Sequence, residues 1–370
     1  MKVLHLNTGN ETGGGMIHIL TLLKQLKNSI DVTLGVFYDG ELAKRARNLG
    51  INVHVFKQKS RLDIKIIREI KHFINKNEID ILHSHGPRAN FIASLIKPKN
   101  NYEWLITVHS NPKHDFLNQG IIGKIFTYLN LHAVKSADQI IAISERFKQE
   151  LIKNGVSKNK IHVILNGIDF SVIPKKAYKR EEFGLSKEDF VILMIARLEP
   201  VKSHETALMA LNKLVKNNKK IHLLIVGDGS RRRELESYVR KERLDQHVTF
   251  LGHREDVVEL FTLCDISILT SKSESFPLVL LESARAKKTV ITTDVGGVQK
   301  LIPNEKYGYI IDIGDHHDLA VKISKMMLLK NSGELEQMGE RLFHHASKSF
   351  SEKKFGESIL EIYSTVLKNK

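Results

Sequence analysis

The feature that most constrains this chain is an alternation of short apolar runs with amphipathic stretches, kept up along nearly its whole length. Val3–Leu6, Val32–Val36, Val53–Phe56, Ile79–Leu82, Trp104–Val108, Ile140–Ile143 and Ile161–Leu165 are short and apolar, and read as buried strands. Between them lie helical patterns such as Ile64–Ile74, which puts Ile66, Ile67, Ile70, Phe73 and Ile74 on one face. Strands separated by helices imply right-handed crossovers and a parallel sheet covered on both sides. Around 169–189 the pattern lapses into Pro174, a run of Lys and Arg, and Glu181-Glu182, a linker composition. It then restarts with Phe190–Ile195, Ile221–Val226, His247–Leu251, Ile266–Leu269, Thr289–Ile291 and Tyr309–Ile311. The expected organisation is a first α/β domain over 1–170, a linker over 171–188 and a second α/β domain over 189–350. In the remaining segment, 351–370, Phe355, Ile359, Ile362, Tyr363 and Val366 mark a helix.

Composition narrows the class. No segment reaches the roughly 18 uninterrupted apolar residues of a membrane-spanning helix. The start, Met1 to Asn7, turns polar too soon for a signal peptide, and the lone Cys264 cannot form an intrachain disulfide. A cytoplasmic protein is expected. Its net charge of +15 is uneven, since residues 1–184 hold 28 Lys and Arg against 16 Asp and Glu. Such an excess either attracts anionic partners or simply keeps the surface soluble. With 7% aromatic residues there is no interleaved stacking surface, so nucleic acid is not an expected partner.

In open α/β sheets ligands bind beyond the carboxyl ends of strands, which directs attention to four loops. Gly13-Gly14-Gly15 precedes the helical run Met16–Leu26, where a helix N-terminus offers N–H groups to an anion; a plain tight turn is the alternative. Ile106-Thr107-Val108-His109 ends a strand in a histidine suited to a sugar hydroxyl or a reacting centre, with His83 and His85 expected after the preceding strand. Arg197 and Lys202 stand five residues apart beside a helix start, a spacing that suits a diphosphate clamp and equally a solvated basic loop. Glu274-Ser275-Phe276-Pro277-Leu278-Val279 leads to Glu282, with Pro277 expected in the first turn of a helix whose N–H groups are open to phosphate.

Together these loops resemble the retaining GT-B glycosyltransferases known as family 4, and the likeness runs nearly end to end. It rests on Glu274 to Glu282 as the E-x7-E signature with Phe276-Pro277-Leu278 inside it, and on Ala196-Arg197-Leu198 through Lys202 as the family's G-R-L-x-x-x-K element. Val226-Gly227-Asp228-Gly229, Asn166-Gly167-Ile168-Asp169 and Asp294-Val295-Gly296-Gly297 resemble three further family turns in the same order. Ser203 and Ser275 depart from it where glycine is usual, and Lys300 where an acid is common. The serines should be tolerated unless their φ is positive.

The resemblance implies a GT-B fold, two Rossmann-like doubly wound domains facing across a cleft, with the last helix returning to the first. It implies donor binding by Arg197, Lys202, Gly227, Phe276, Leu278, Val279 and Glu282, with Arg254 beside the base and Gly14 and Gly15 facing the phosphates or the acceptor. Glu274 and His109 would attend the transferred sugar, making Glu274, His109, Arg197 and Lys202 the catalytic set. Expected partners are a nucleoside-diphosphate sugar, UDP foremost, and a glycan or lipid-linked acceptor. Lys57, Lys59, Arg61, Lys65, Arg68 and Lys71, with the apolar stretch Ile121–Leu131, suit peripheral contact with an anionic membrane. No D-x-D pair occurs, so no metal or other cofactor is expected at the diphosphate, and protein cations are expected to stabilise it. A UDP-sugar epimerase and a non-catalytic scaffold of the same fold are the alternatives; the intact Arg197, Lys202 and Glu274 favour transfer.

Overall fold

The computed structural model describes all residues except 12, 58–62, 64, 98–100, 110–119, 218 and 369–370, and leaves the side chains of 120–122 undescribed. Lys59, Arg61, Ile121 and Ile122 of the expected membrane-facing cluster therefore lie outside the described side chains. The chain forms two units, one of Met1–Gly167 with Glu352–Lys370 and one of Ile168–Ser351.

In the first unit the elements run β1 (Lys2–Asn7), α1 (Gly13–Leu26), β2 (Asp31–Val36), α2 (Glu41–Asn48), β3 (Asn52–Val55), α3 (Lys65–Asn77) and β4 (Ile81–His85). They continue through α4 (Pro87–Ile96), β5 (Glu103–Val108), α5 (Gly120–Ser136), β6 (Gln139–Ala142), α6 (Glu145–Lys153) and β7 (Ile161–Val163). The seven strands are all parallel, in the order β3-β2-β1-β4-β5-β6-β7. Apolar side chains leave both faces of this sheet, so each face carries its own core. One gathers Leu4, Leu82, Trp104 and Ile140 with α3 and α4, and the other Val3, Leu34, Ile81 and Leu105 with α1 and α2. That is the physical reason these strands read as near-continuous apolar runs rather than as alternating ones.

The second unit runs β8 (Phe190–Ile195), α7 (His204–Val215), β9 (Ile221–Val226), α8 (Arg232–Lys241), β10 (Val248–Gly252), α9 (Val257–Leu260) and β11 (Ile266–Leu269). It ends with α10 (Leu278–Arg285), β12 (Thr289–Thr293), β13 (Gly308–Ile311), α11 (His316–Asn331) and α12 (Glu334–Ser349). Its six strands are again parallel, in the order β10-β9-β8-β11-β12-β13. Both units are thus Rossmann-like α/β domains. Residues 171–188 are fastened to the second unit: Arg180 pairs with Asp265 at 3.0 Å and donates to the Leu263 carbonyl.

The last helix, α13 (Glu352–Lys368), belongs to the first unit. Its buried face of Phe355, Ile359, Ile362, Tyr363 and Val366 packs into the same core as Met16, Ile19 and Leu23 of α1. Gly356 lets the two helices meet, since a Cβ there would stand 2.6 Å from that of Gln25. Tyr363 carries its hydroxyl into the sheet, 2.6 Å from His83 Nδ1 and 3.2 Å from His5 Nε2. Replacing Tyr363 by Phe leaves two buried imidazole nitrogens short of a partner. Tyr363→Phe should cost about 1–3 kcal/mol of stability in urea unfolding of the first unit, and an unchanged midpoint would contradict this account of the α13 contact.

Candidate functional site

Each sheet reverses its strand order once, between β1 and β4 in the first unit and between β8 and β11 in the second. Connections leave in opposite directions at such a point and expose a crevice at the strands' carboxyl ends. The loops of interest converge on these two points.

In the second unit β8 ends at Ile195 and the chain turns through 196–203. Leu198 is fully buried and anchors this turn, leaving its neighbour Arg197 exposed. The turn is stitched to the loop after β9 by the Leu198 and Arg231 amides, which donate at 2.9 Å to the carbonyls of Asp228 and Leu198. Such close crossing is why Gly227 is glycine. Its φ is +136°, and a Cβ would stand 2.1 Å from the Ala196 carbonyl oxygen. The structure therefore explains Gly227 by backbone packing rather than by ligand approach.

Ser203 has φ +50°, in the left-handed region where its family's usual glycine is at ease. It is held there by buried bonds: its hydroxyl lies 3.0 Å from that of Thr206, and Thr270 Oγ1 donates to its carbonyl at 2.9 Å. Ser275 has no positive φ and carries no such strain.

Lys202 is not left free by this turn. Its Nζ lies 2.5 Å from Glu274 Oε1, and Ser271 Oγ donates to the same oxygen at 2.6 Å. Thr293 Oγ1, at the end of β12, donates to the Ser271 carbonyl at 2.6 Å. Gly296, at φ +58°, packs so that a Cβ would meet the Ser275 carbonyl oxygen at 2.6 Å. The loops after β8, β11 and β12 thus form one bonded platform, and Glu274 sits on it fixed by a cation and a hydroxyl.

From this platform α10 begins. Pro277 is its N-cap rather than a first-turn residue, and no side chain caps the end. Leu278 and Val279 occupy the first two helical positions, where backbone N–H groups have no intrahelical acceptor. One turn further in, Glu282 is largely buried, and among the described residues its carboxylate has no hydrogen-bond or ion-pair partner. Burial raises its pKa, and the nearby Arg285 charge offsets this only partly. Among the described residues the Arg197 guanidinium likewise has no hydrogen-bond or ion-pair partner. An unpaired buried acid one turn inside an uncapped helix start, and an unpaired exposed cation in the turn after β8, are groups open to a ligand.

Two of the expected ligand contacts have partners within the chain. Phe276 is buried, its ring 5.2 Å from that of Phe350. Arg254 is engaged by Asp256 through two nitrogens, at 2.7 and 2.5 Å, and reaches the Tyr178 hydroxyl at 3.3 Å. This pairing holds the Asp256 carboxyl well below its ordinary range.

In the first unit Gly13, Gly14 and Gly15 form the first turn of α1 rather than a loop before it. Nothing lies within 4 Å of where a Gly14 Cβ would be, whereas one at Gly15 would stand 2.4 Å from Glu11 Oε1. A carboxylate of the chain's own thus stands over this helix start. His83 and His85 are not in a loop either. β4 runs on through His85, because β1 pairs with it as far as Ser84 and β5 as far as His85. Both rings are fully buried, and period two puts them on one face, where His5 of β1 joins them in register with His83.

His109 directly follows β5, as its motif suggested, but it is packed rather than projecting. Its Nε2 lies 3.4 Å from His85 Nδ1, and its ring meets that of His18 edge-on at 4.5 Å. Burial lowers the pKa of all five imidazoles, that of His5 to about 3 and that of His18 to about 4. They are neutral at neutral pH. His5 and His18 were absent from the candidate set; the available signal was a polar residue inside an otherwise apolar strand and inside a helix's apolar face. Ser271, which fixes Glu274, gave no signal of its own.

This pair of Rossmann-like units is the GT-B glycosyltransferase fold. Anabaena HepE, solved in complex with UDP, shares it with a TM-score of 0.84 at 21% identity, over 99% of this chain and 100% of that one. The glycosyltransferase from Rickettsia africae shares it with a TM-score of 0.81 at 23% identity, over 100% and 99%. Residues 175–344 match the model of the glycosyl transferases group 1 and residues 12–172 that of glycosyltransferase family 4, and the chain belongs to this GT-B, family 4-type group of glycosyltransferases. The N-acetyl-alpha-D-glucosaminyl L-malate synthase of Bacillus anthracis is 26% identical over 86% of this chain and 83% of its own length. An N,N'-diacetylbacillosaminyl-diphospho-undecaprenol alpha-1,3-N-acetylgalactosaminyltransferase of Campylobacter jejuni is 26% identical over 97% and 98%.

The unpaired Glu282 yields a two-sided expectation. A carboxylate whose folded-state pKa is raised destabilises the fold once pH passes that raised value, so the penalty is absent in acid and present at neutral pH. Glu282→Gln should therefore raise the melting temperature of the free protein at pH 7, with the gain vanishing in acid, while weakening nucleotide binding roughly 10- to 100-fold by calorimetry. A free protein left unchanged or destabilised at pH 7 would contradict this reading.

Proposed function

We propose that this glycosyltransferase moves a sugar, with retention of configuration, from a UDP-sugar to a lipid-linked or cell-surface glycan acceptor. The observation that carries the reading is the buried Glu282, without a partner among the described residues, one turn inside the uncapped start of α10. In this reading the diphosphate lies against the Leu278 and Val279 amides, with Arg197 and Lys202 around it and Glu282 on the ribose hydroxyls. Glu274 takes hydroxyls of the transferred sugar and passes Lys202 to the phosphates as the donor arrives. Donor class and acceptor class also draw on the Anabaena complexes with UDP and UDP-glucose and on relatives named for diphospho-undecaprenol acceptors.

The bond between the anomeric carbon and the β-phosphate oxygen breaks as the acceptor oxygen bonds to that carbon on the same face. The acceptor's proton passes to the departing phosphate oxygen, giving a glycoside and a nucleoside diphosphate. The charge that accumulates on the leaving group is what Arg197, Lys202 and the α10 dipole stabilise, with no metal ion at the diphosphate. His109, neutral, accepts or donates one hydrogen bond to the transferred sugar, and the Gly14–Gly15 turn faces the phosphates or the acceptor. Arg254 lies toward the base.

No helix among the described residues is long and apolar enough to cross a membrane. We place the enzyme at the cytoplasmic face of one, held by Lys57, Lys65, Arg68 and Lys71 together with the exposed Ile125, Phe126 and Tyr128 of α5. It should co-sediment with anionic vesicles at low salt and release at high salt; indifference to them would remove the membrane from the proposal.

The donor reading is tested by thermal shift with UDP, GDP, ADP and their sugars, with and without EDTA. UDP at a hundredfold excess over its Kd should stabilise by about 2.7 kcal/mol. The nucleotide-induced shift should survive EDTA, and Arg197→Ala should lower the affinity roughly 10- to 100-fold. No response to any of these nucleotides would overturn it.

A further inference from the structure

The Glu274 carboxylate is satisfied on one side only. Its Oε1 takes two hydrogen bonds, from the Lys202 ammonium at 2.5 Å and from the Ser271 hydroxyl at 2.6 Å. Its Oε2 has no hydrogen-bond or ion-pair partner among the described residues. A carboxylate held by one oxygen presents the other in a fixed direction, as an acceptor for a ligand hydroxyl. The two groups that hold it differ in kind, and the difference decides which of them stays when a nucleotide binds.

Lys202 is charged and sits at the end of a flexible four-carbon stem. Thr270 Oγ1 donates to its backbone carbonyl at 3.1 Å, so the backbone is tied and the ammonium is the part able to swing. A diphosphate draws that ammonium away from the carboxylate. Ser271 is neutral, and its side chain is fully buried. A phosphate has no comparable pull on it, and its short side chain gives up little freedom in staying where it is. Its backbone is pinned as well. Thr293 Oγ1, at the end of β12 and itself fully buried, donates to the Ser271 carbonyl at 2.6 Å. β11 and β12 are paired as far as Leu269 and Thr292, so the anchor stands on two adjacent strand ends.

We propose that Ser271 is a positioning residue for the transferred sugar, holding Glu274 in place after Lys202 has moved to the diphosphate. The inference rests on the UDP-sugar reading above and adds a division of labour between the two groups on Oε1. In the free protein Lys202 and Ser271 share that oxygen. With the nucleotide bound, Ser271 alone keeps it, and Oε2 accepts hydroxyls of the sugar. Without the Ser271 hydroxyl the carboxylate turns toward whatever cation or hydroxyl remains in reach, and the sugar loses a fixed acceptor. The effect is selective. With UDP alone, water fills the place of the sugar and solvates the carboxylate, so UDP has little need of Ser271.

The test is calorimetry on the full chain with UDP, UDP-glucose, UDP-galactose, UDP-N-acetylglucosamine and UDP-N-acetylgalactosamine. The readout is the Kd of the tightest-binding UDP-sugar divided by the Kd of UDP. Ser271→Ala should raise this ratio about 10-fold, the worth of one hydrogen bond to a charged group, while the Kd of UDP stays within about threefold. In a Glu274→Ala background the same change should leave the ratio unmoved, because the hydroxyl acts through that carboxylate. Thr293→Val keeps the Ser271 hydroxyl but loosens its anchor from the strand side, and should raise the ratio by less. Circular dichroism verifies that each variant folds. The inference is overturned if Ser271→Ala leaves the ratio unchanged, if it weakens UDP and the UDP-sugar alike, or if its effect is undiminished in the Glu274→Ala background. A wild type that binds no UDP would instead overturn the UDP-sugar reading, and this inference with it.

Discussion

The reversal of strand order in each sheet is the constraint from which the rest of the structure follows. An all-parallel sheet buries both of its faces, so little of it but the strand ends is left for chemistry. The reversals at β1/β4 and β8/β11 open those ends. What fills each opening differs. The first unit fills its own with neutral imidazoles wired to Thr107 and Tyr363, while the second fills its own with charge. The same topology therefore supplies a buried, polar, uncharged corner and an electrostatic platform.

On that platform the charges are unequally satisfied, and the inequality is informative. Lys202 and Glu274 neutralise each other, so holding both half-buried costs little in the free protein. Arg197 and Glu282 lack partners among the described residues, and burial raises the Glu282 pKa. A fold shaped for stability alone would pair or replace Glu282, which makes it the residue whose persistence most requires a ligand. The strained Ser203 points the same way. Its left-handed backbone sets the turn that carries Lys202 to Glu274, at a conformational cost of order 1 kcal/mol met by the buried bonds around it.

The architecture was legible because its strands bury two faces and so declare themselves as short apolar runs. Every strand read from such a run is present, with ends that shift by at most three residues. The largest shift fell where chemistry lies. Ile79–Leu82 was read as the strand, yet β4 extends to His85, since a buried imidazole looks polar in sequence and apolar once bonded. The second-unit site was legible through spacing and resemblance, because Arg197 and Lys202 lie in one short segment and Glu274 and Glu282 in another. Contacts that depend on packing were not. Phe276 turned out to face Phe350, Gly227 to make room for the Ala196 carbonyl, and Arg254 to be paired with Asp256. The imidazole cluster was the least legible feature, because its members come from four separate segments.

The account's central claim is that a nucleoside diphosphate binds on the uncapped start of α10 between Arg197 and Glu282. Hydrogen–deuterium exchange of the intact protein, with and without saturating UDP in the presence of EDTA, tests this residue by residue. The account predicts slowed exchange at the amides of Leu278 and Val279 and across 197–203, which have no helical acceptor in the free protein or lie in the turn that closes on the ligand. Protection confined to the first turn of α1, or no protection in the second unit, would contradict it.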